Sequence, residues 1–181
     1  MCSSDLVLRC QQPQCHGILW LRHLIRYLMA MRVASWNVNS IKARLPIIID
    51  WLRGDHCDVL LMQETKSQDE NFPSDVFANA GWQVVFHGQK SYNGVAIASR
   101  LPIGEVMAGL PGDDSDDQAR YIEATVGGMR LASIYLPNGN PAPGPKFDYK
   151  LKWMKRLQAR ATELLASEVP VVLGEIGRAH V

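Results

Sequence analysis

Residues Arg32 to Lys66, RVASWNVNSIKARLPIIIDWLRGDHCDVLLMQETK, constrain the fold more than any other stretch. Val33 to Val38 mixes apolar, β-branched and aromatic residues over a run too short for a helix, which predicts a buried strand. Ile41, Leu45, Ile48, Ile49 and Leu52 then fall on one helical face, with Ser40 placed as N-cap. Pro46 lies inside that pattern and predicts a break or restart of the helix. Asp58 to Met62 is almost continuously apolar, as a strand covered on both faces would be. Strand, helix and strand in this length make a βαβ-like unit. The first strand ends in Asn37 and Asn39, the second in Gln63 and Glu64. Open α/β sheets place ligands at the carboxyl ends of their strands. A lone carboxylate flanked by amides there suits a hard divalent cation that prefers oxygen ligands. The same residues also read as turn-forming asparagines and a solvated strand end.

Downstream, a polar loop runs from Thr65 to Pro73, and Ser74 is placed to cap a short helix reaching about Asn79. Trp82 to His87 and Gly94 to Ala98 read as strands joined through the turn residues Tyr92, Asn93 and Gly94. Pro102 to Met107 is a further short strand. Leu110 to Gln118 is an acidic loop whose Asp113, Asp114, Asp116 and Asp117 lack the spacing and terminal Glu of an EF-hand. Tyr121 to Val126 and Arg130 to Tyr135 pair as a hairpin across Gly127 and Gly128, and Leu136 to Pro145 is a Pro- and Gly-rich surface loop. Phe147 to Ala166 predicts the longest helix, with Phe147, Leu151, Met154, Leu157, Ala161, Leu164 and Leu165 as its apolar stripe. The other face carries Lys150, Lys152, Lys155, Arg156 and Arg160, which read as a solvated face or a phosphate-binding patch. Val169 to Gly174 is a last buried strand.

Five segments, in this order, resemble one known family: SWNVNSIKAR, VLLMQETK, HGQKSYNGVAIASR, LPGDDSDDQARYIEA and SIYLPNGNP. They are similar to the exonuclease III family of bacterial exodeoxyribonucleases and AP endonucleases, within the endonuclease–exonuclease–phosphatase superfamily. The resemblance implies an α/β fold, a four-layer αββα sandwich of two packed mixed sheets flanked by helices, here truncated at its C-terminus. It implies a DNA-repair nuclease that hydrolyses DNA phosphodiesters with Mg2+ or Mn2+, both as a 3′–5′ exonuclease and at abasic sites. Double-stranded DNA with abasic sites or 3′ ends is the implied partner, with no membrane, and the full-length enzyme would be a monomer. By the same resemblance Glu64 and Asn37 belong to the metal and catalytic constellation, and Tyr135 lies near the scissile phosphate. Asn138 contacts DNA near the site, and Lys146 and Lys150 lie along the DNA backbone.

After Gly174 the family pattern calls for Asp and, two residues later, Asn; this chain has Glu175, Ile176 and Gly177. The family's closing Asp-His pair is also absent from the sequence. The polypeptide as given is therefore expected to be an inactive N-terminal part of a nuclease. The alternatives are a non-catalytic DNA-binding fragment and another phosphodiesterase or phosphatase of the superfamily. Both ends carry a further signal. MCSSDL and EIGRAHV can be encoded by strings that are reverse complements of one another and match a common sequencing adapter. Residues 1–30 are thus expected to be a non-native upstream extension, 31–174 the nuclease part, and 175–181 a non-native tail. Ile18 to Ala30 is apolar but short, and it carries Arg22, His23 and Arg26, which argues against a membrane span.

The net charge of +1 gives no global pull toward nucleic acid, so DNA contact has to come from a local patch. Cys2, Cys10 and Cys15 precede Met31, which leaves Cys57 alone in the family-like part. No disulfide framework is implied, and a reducing cytoplasm fits.

Overall fold

The computed structural model describes residues 31–176, and from Arg32 onward these form one compact unit. The expectations for residues 1–30 lie outside the described residues, as does the tail expectation beyond Ile176. Strand β1 (Val33–Asn37), helix α1 (Ile41–Arg53) and strand β2 (Val59–Gln63) build the strand–helix–strand unit, with β1 and β2 parallel. Ser40 caps α1 through its hydroxyl, which accepts from the Ala43 amide at 3.4 Å. Ile41, Ile48, Ile49 and Leu52 are its buried face.

Pro46 does not break α1, contrary to expectation. It is exposed in the second turn, where water can satisfy the one carbonyl it leaves without a donor. The buried isoleucines on either side hold the helix across it.

Helix α2 (Ser74–Asn79) follows a 3-10 turn at Asp69–Asn71. Pro73 stands at the N-cap of α2 without a side-chain hydrogen bond, so Ser74 is the first helical residue rather than its cap. Strands β3 (Gln83–His87) and β4 (Val95–Ser99) pair antiparallel and complete a sheet in the order β1-β2-β4-β3. A second sheet runs β5-β6-β7-β8, from β5 (Ile103–Ala108), β6 (Tyr121–Val126), β7 (Met129–Ile134) and β8 (Val171–Gly174). The β6–β7 hairpin turns on Gly127 and Gly128, both at positive φ, as a tight two-residue turn requires. Helix α3 (Pro145–Ala166) is the longest element.

The layers follow from alternation along the strands. Leu60, Met62, Ala96 and Ala98 face α1 and α2, in a core with Phe72, Phe77 and Trp82. Their neighbours Val59, Leu61, Val95 and Ile97 are equally buried and face the second sheet. There Tyr121, Ala132 and Ile134 meet Trp153 of α3. The order is helices, sheet, sheet, helix, an α/β fold with four layers.

Helix α3 packs differently from the expected stripe. Leu151, Met154 and Leu165 of that stripe are exposed. The inward face carries Tyr149, Trp153, Leu157 and Leu164, together with the half-buried Arg156 and Arg160. Both arginines therefore leave the predicted basic face. Arg156 donates to Asp116 Oδ2 at 2.7 Å, and Arg160 Nε donates to Glu123 Oε2 at 3.2 Å. Partner carboxylates on the loop and on β6 turn these cations into structural groups.

The two sheets close tightly at the end of β8. A Cβ added at Gly174 would stand 2.3 Å from Leu61 Cδ1 and 3.4 Å from Ser35 Oγ. Gly174→Ala is expected to cost about 1–3 kcal/mol, because a filled core yields only by shifting its neighbours. The midpoint of urea unfolding measures it; an unchanged midpoint would show that the sheets have slack there.

Candidate active site

The carboxyl ends of β1 and β2 lie side by side because the two strands are parallel and in register, Asn37 opposite Gln63. Asn37 Nδ2 donates to Glu64 Oε1 at 2.8 Å, and its Oδ1 accepts from the Asn39 amide at 3.2 Å. Lys66 Nζ lies 3.0 Å from Glu64 Oε2 and also donates to Asn39 Oδ1. The Tyr135 hydroxyl, from the end of β7 in the other sheet, hydrogen-bonds the same carboxylate. Glu64 thus gathers donors from both sheets. Burial alone would raise its carboxyl, but the hydrogen bonds from Asn37, Lys66 and Tyr135 outweigh it and hold the group below its ordinary value.

The loop backbones that set this geometry are strained. Asn39, Ser40, Glu64 and Lys66 all have positive φ, between 43° and 93°. Cross-loop bonds hold them there: Ser40 N to Glu64 O at 2.7 Å, Ile41 N to Thr65 O at 2.9 Å, and Lys66 N to Asn93 O at 3.0 Å. Gly94 completes the support. Its φ is +90°, and a Cβ there would lie 2.1 Å from Thr65 Oγ1. Only glycine lets the β3–β4 turn press against the loop that carries Glu64.

Below the site a polar seam joins the sheets. Gln63 Nε2 donates to Ser35 Oγ at 3.0 Å and to Ser133 Oγ at 3.2 Å, while Ser133 Oγ donates to the Met62 carbonyl at 2.8 Å. The seam ties β1 and β2 to β7 just beneath Glu64 and Tyr135.

Tyr135 leads into a second region. The Arg120 guanidinium stacks 5.0 Å from the centroid of the Tyr135 ring, and its Nε donates to Gln118 Oε1 at 2.7 Å. Arg120, Gln118, Asn138, Pro145, Lys146 and Tyr149 line a cavity of about 470 Å3. Asn138 closes its own turn, accepting from the Asn140 amide at 3.1 Å. Lys150 lies against Gly139, where an added Cβ would meet its Cδ at 2.9 Å. Glu175, just after β8, receives the Leu136 amide; burial raises its carboxyl, and the Leu136 and Lys150 interactions only partly offset that.

The sequence-derived residues therefore fall into two groups. Asn37, Glu64 and Tyr135 share one hydrogen-bonded cluster; Asn138, Lys146 and Lys150 gather around the Leu136–Pro145 loop and the start of α3. Lys66 and Arg120 were missed. Lys66 had no periodic signal, since Glu64 and Lys66 both leave the extended conformation after β2, at φ 53° and 51°. Arg120 had none, because its link to Tyr135 runs across the β6–β7 pair.

The donors fit a hard cation. Glu64 and Asn37 offer carboxylate and amide oxygens, without sulfur or imidazole in the cluster. Among the described residues no three His, Cys, Asp or Glu side chains converge. One carboxylate is still enough for a Mg2+-type ion, which keeps several waters and takes substrate phosphate oxygens.

Comparison with known proteins extends the geometry. A curated exodeoxyribonuclease III of Haemophilus influenzae is 33% identical over 133 residues, spanning 71% of this chain and 50% of its own length. A 3′–5′ exonuclease (NExo) from Neisseria meningitidis superposes with a TM-score of 0.77 at 39% identity, over 79% of this chain and 56% of the other. An AP endonuclease from Archaeoglobus fulgidus gives a TM-score of 0.71 at 38% identity, over 80% and 56%. The chain thus spans about half the length of the relatives it matches. Residues 34–174 match the model of the Endonuclease/Exonuclease/phosphatase family, a range that runs from the second residue of β1 to the end of β8. The chain belongs to the Endonuclease/Exonuclease/phosphatase family.

Proposed function

We propose that this chain carries the cation-binding half of a DNA-repair nuclease site, for Mg2+- or Mn2+-dependent hydrolysis of phosphodiesters at 3′ ends and abasic sites of double-stranded DNA. The single observation that supports this most is the convergence of Asn37, Lys66 and Tyr135 on the Glu64 carboxylate from two different sheets. A solvated strand end would not collect three donors or be held below its ordinary pKa. The names of the relatives, an exodeoxyribonuclease III, a 3′–5′ exonuclease and an AP endonuclease, support DNA as the substrate class.

A cation bound at Glu64 supplies Lewis-acid stabilisation of charge on a phosphate oxygen. Asn37 keeps the carboxylate turned toward the strand ends. Tyr135, already at that carboxylate, is placed to donate to a phosphate oxygen beside it. Asn138 and Lys146 line the adjoining cavity and suit the flanking backbone, with Lys150 behind them. By the family resemblance, the groups that would activate water and protonate the leaving oxygen follow Gly174 in the family pattern. The chain by itself is accordingly expected to bind the cation and DNA without cleaving, and the full-length enzyme to be a monomer in a reducing cytoplasm. No helix among the described residues is long and apolar enough to cross a membrane.

Titrating the chain with Mn2+ and counting free ion by electron paramagnetic resonance tests this reading. One site is expected, and Glu64→Gln should weaken it at least about tenfold, because cation sites of this kind rest on carboxylate charge. Equal binding by both would remove the cation from Glu64.

A further inference from the structure

We propose that the Lys66 ammonium is a built-in placeholder for the divalent cation at Glu64: it occupies the carboxylate while the cation is absent and is displaced when the cation binds. The inference rests on the proposed cation site and adds a residue that competes for it. Two of the three groups on Glu64, Asn37 and Tyr135, are neutral donors that can stay in place and orient the carboxylate beside a cation. The third is a full positive charge 3.0 Å from Oε2. A hard cation needs a carboxylate oxygen at about 2.0–2.2 Å, so an ammonium on that oxygen opposes it both by occupying the lone pair and by repulsion.

The backbone around Lys66 is pinned and its side chain is not. The Lys66 amide is bonded to the Asn93 carbonyl at 3.0 Å, and the Thr65 amide to the Gly94 carbonyl at 3.1 Å. The side chain keeps 31% of its surface exposed. Lysine is a compact charge on a flexible four-carbon stem, so it can leave for water without moving the loop. Its other partner, Asn39 Oδ1, is neutral and on the surface, and is a weak anchor for it. Asn39 and Ser40 after β1 and Glu64 and Lys66 after β2, all at positive φ, mark a place where strain is tolerated, as functional sites show. The benefit of the arrangement is that Glu64 is never a half-buried charge without a counterion. Lys66 acts through Glu64 and is a positioning residue rather than a catalytic one.

The sign of the expected effect separates this role from simple structural support. In the Mn2+ titration of the full chain, Lys66→Met should bind up to about fivefold tighter than the parent, the scale of one lost pairwise charge interaction. Lys66→Arg keeps the charge, with a fork that can grip the carboxylate more firmly, and should bind no tighter than the parent. Weaker or unchanged binding by Lys66→Met, with the parent binding normally, would overturn the placeholder role. If parent and Lys66→Met both bind no better than Glu64→Gln, the cation site itself falls, and the inference with it. A second measurement needs no variant. Acetylation of Lys66 in the parent chain, followed by mass spectrometry, should speed up several-fold on adding Mn2+, while acetylation of Lys146 stays constant. Equal Lys66 reactivity with and without Mn2+ in a chain that binds the ion would show that the ammonium is not displaced.

Discussion

Glu123→Ala is expected to destabilise the chain by about 3 kcal/mol, near the lower end of the cost of breaking a buried ion pair. Glu123 is fully buried on β6, between the second sheet and α3. Arg130 Nε donates to its Oε1 at 3.1 Å, Arg160 Nε to its Oε2 at 3.2 Å, and the Tyr121 hydroxyl also donates to it. Burial would raise this carboxyl, but Arg160, Tyr121 and Arg130 hold it below its ordinary value. Alanine leaves two guanidiniums and a hydroxyl with no acceptor at the centre of the group. The arginines keep other contacts, Arg130 with the Glu105 carbonyl at 2.7 Å and Arg160 with Glu163 at 2.9 Å, which keeps the loss at the lower end. Urea unfolding of Glu123→Ala measures the loss, and a change below about 1 kcal/mol would show that solvent replaces Glu123. Replacing Glu123, Arg130 and Arg160 together by apolar residues should cost less than Glu123→Ala alone, since no buried charge is then left unpaired.

Acid should act on the same group. The folded-state pKa of Glu123 is lowered, so its contribution is fully present above the free carboxyl value of 4.5 and is lost as pH falls through the folded value. Glu64 is lowered as well and adds to the loss in the same direction. The Glu123→Ala chain should therefore lose less stability than the parent between neutral pH and the acid limb.

Which features the sequence revealed depended on how local their causes were. The β1–α1–β2 unit was legible because a buried strand, a capped amphipathic helix and a second buried strand each announce themselves within a few residues. Glu64 and Asn37 were legible as the ends of those strands. Pro46 misled because its helix-breaking tendency is local, whereas what holds α1 together is the packing of Ile48, Ile49 and Leu52. Helix α3 misled for the same reason. Its hydrophobic stripe suggested one inward face, but Glu123 on β6 and Asp116 in the loop draw Arg160 and Arg156 inward and rotate Leu151 and Leu165 to the surface. Partners more than thirty positions away along the chain leave no trace in a helical pattern. Tyr135 was legible only through family resemblance; its bond to Glu64 depends on the packing of two sheets, which the Gln63–Ser133 contact helps to set.

On the proposed reading, Glu64 holds the cation that makes DNA cleavage possible. A chimera provides the test: residues 32–174 joined to the portion of the Neisseria meningitidis exonuclease that the match leaves uncovered. Release of nucleotides from the 3′ ends of duplex DNA is measured against Mg2+ concentration, beside a binding titration at fixed salt. Glu64→Gln keeps the shape of the side chain and removes the charge that holds the ion. The rate should fall about 10³-fold, as expected when several kcal/mol of transition-state charge stabilisation are lost. DNA affinity should change little, because phosphate contacts such as those proposed for Lys146 and Lys150 supply most of it. A Glu64→Gln chimera that cleaves at the unmodified rate with the same Mg2+ midpoint would contradict the claim, and Glu64 would then be an ordinary strand end.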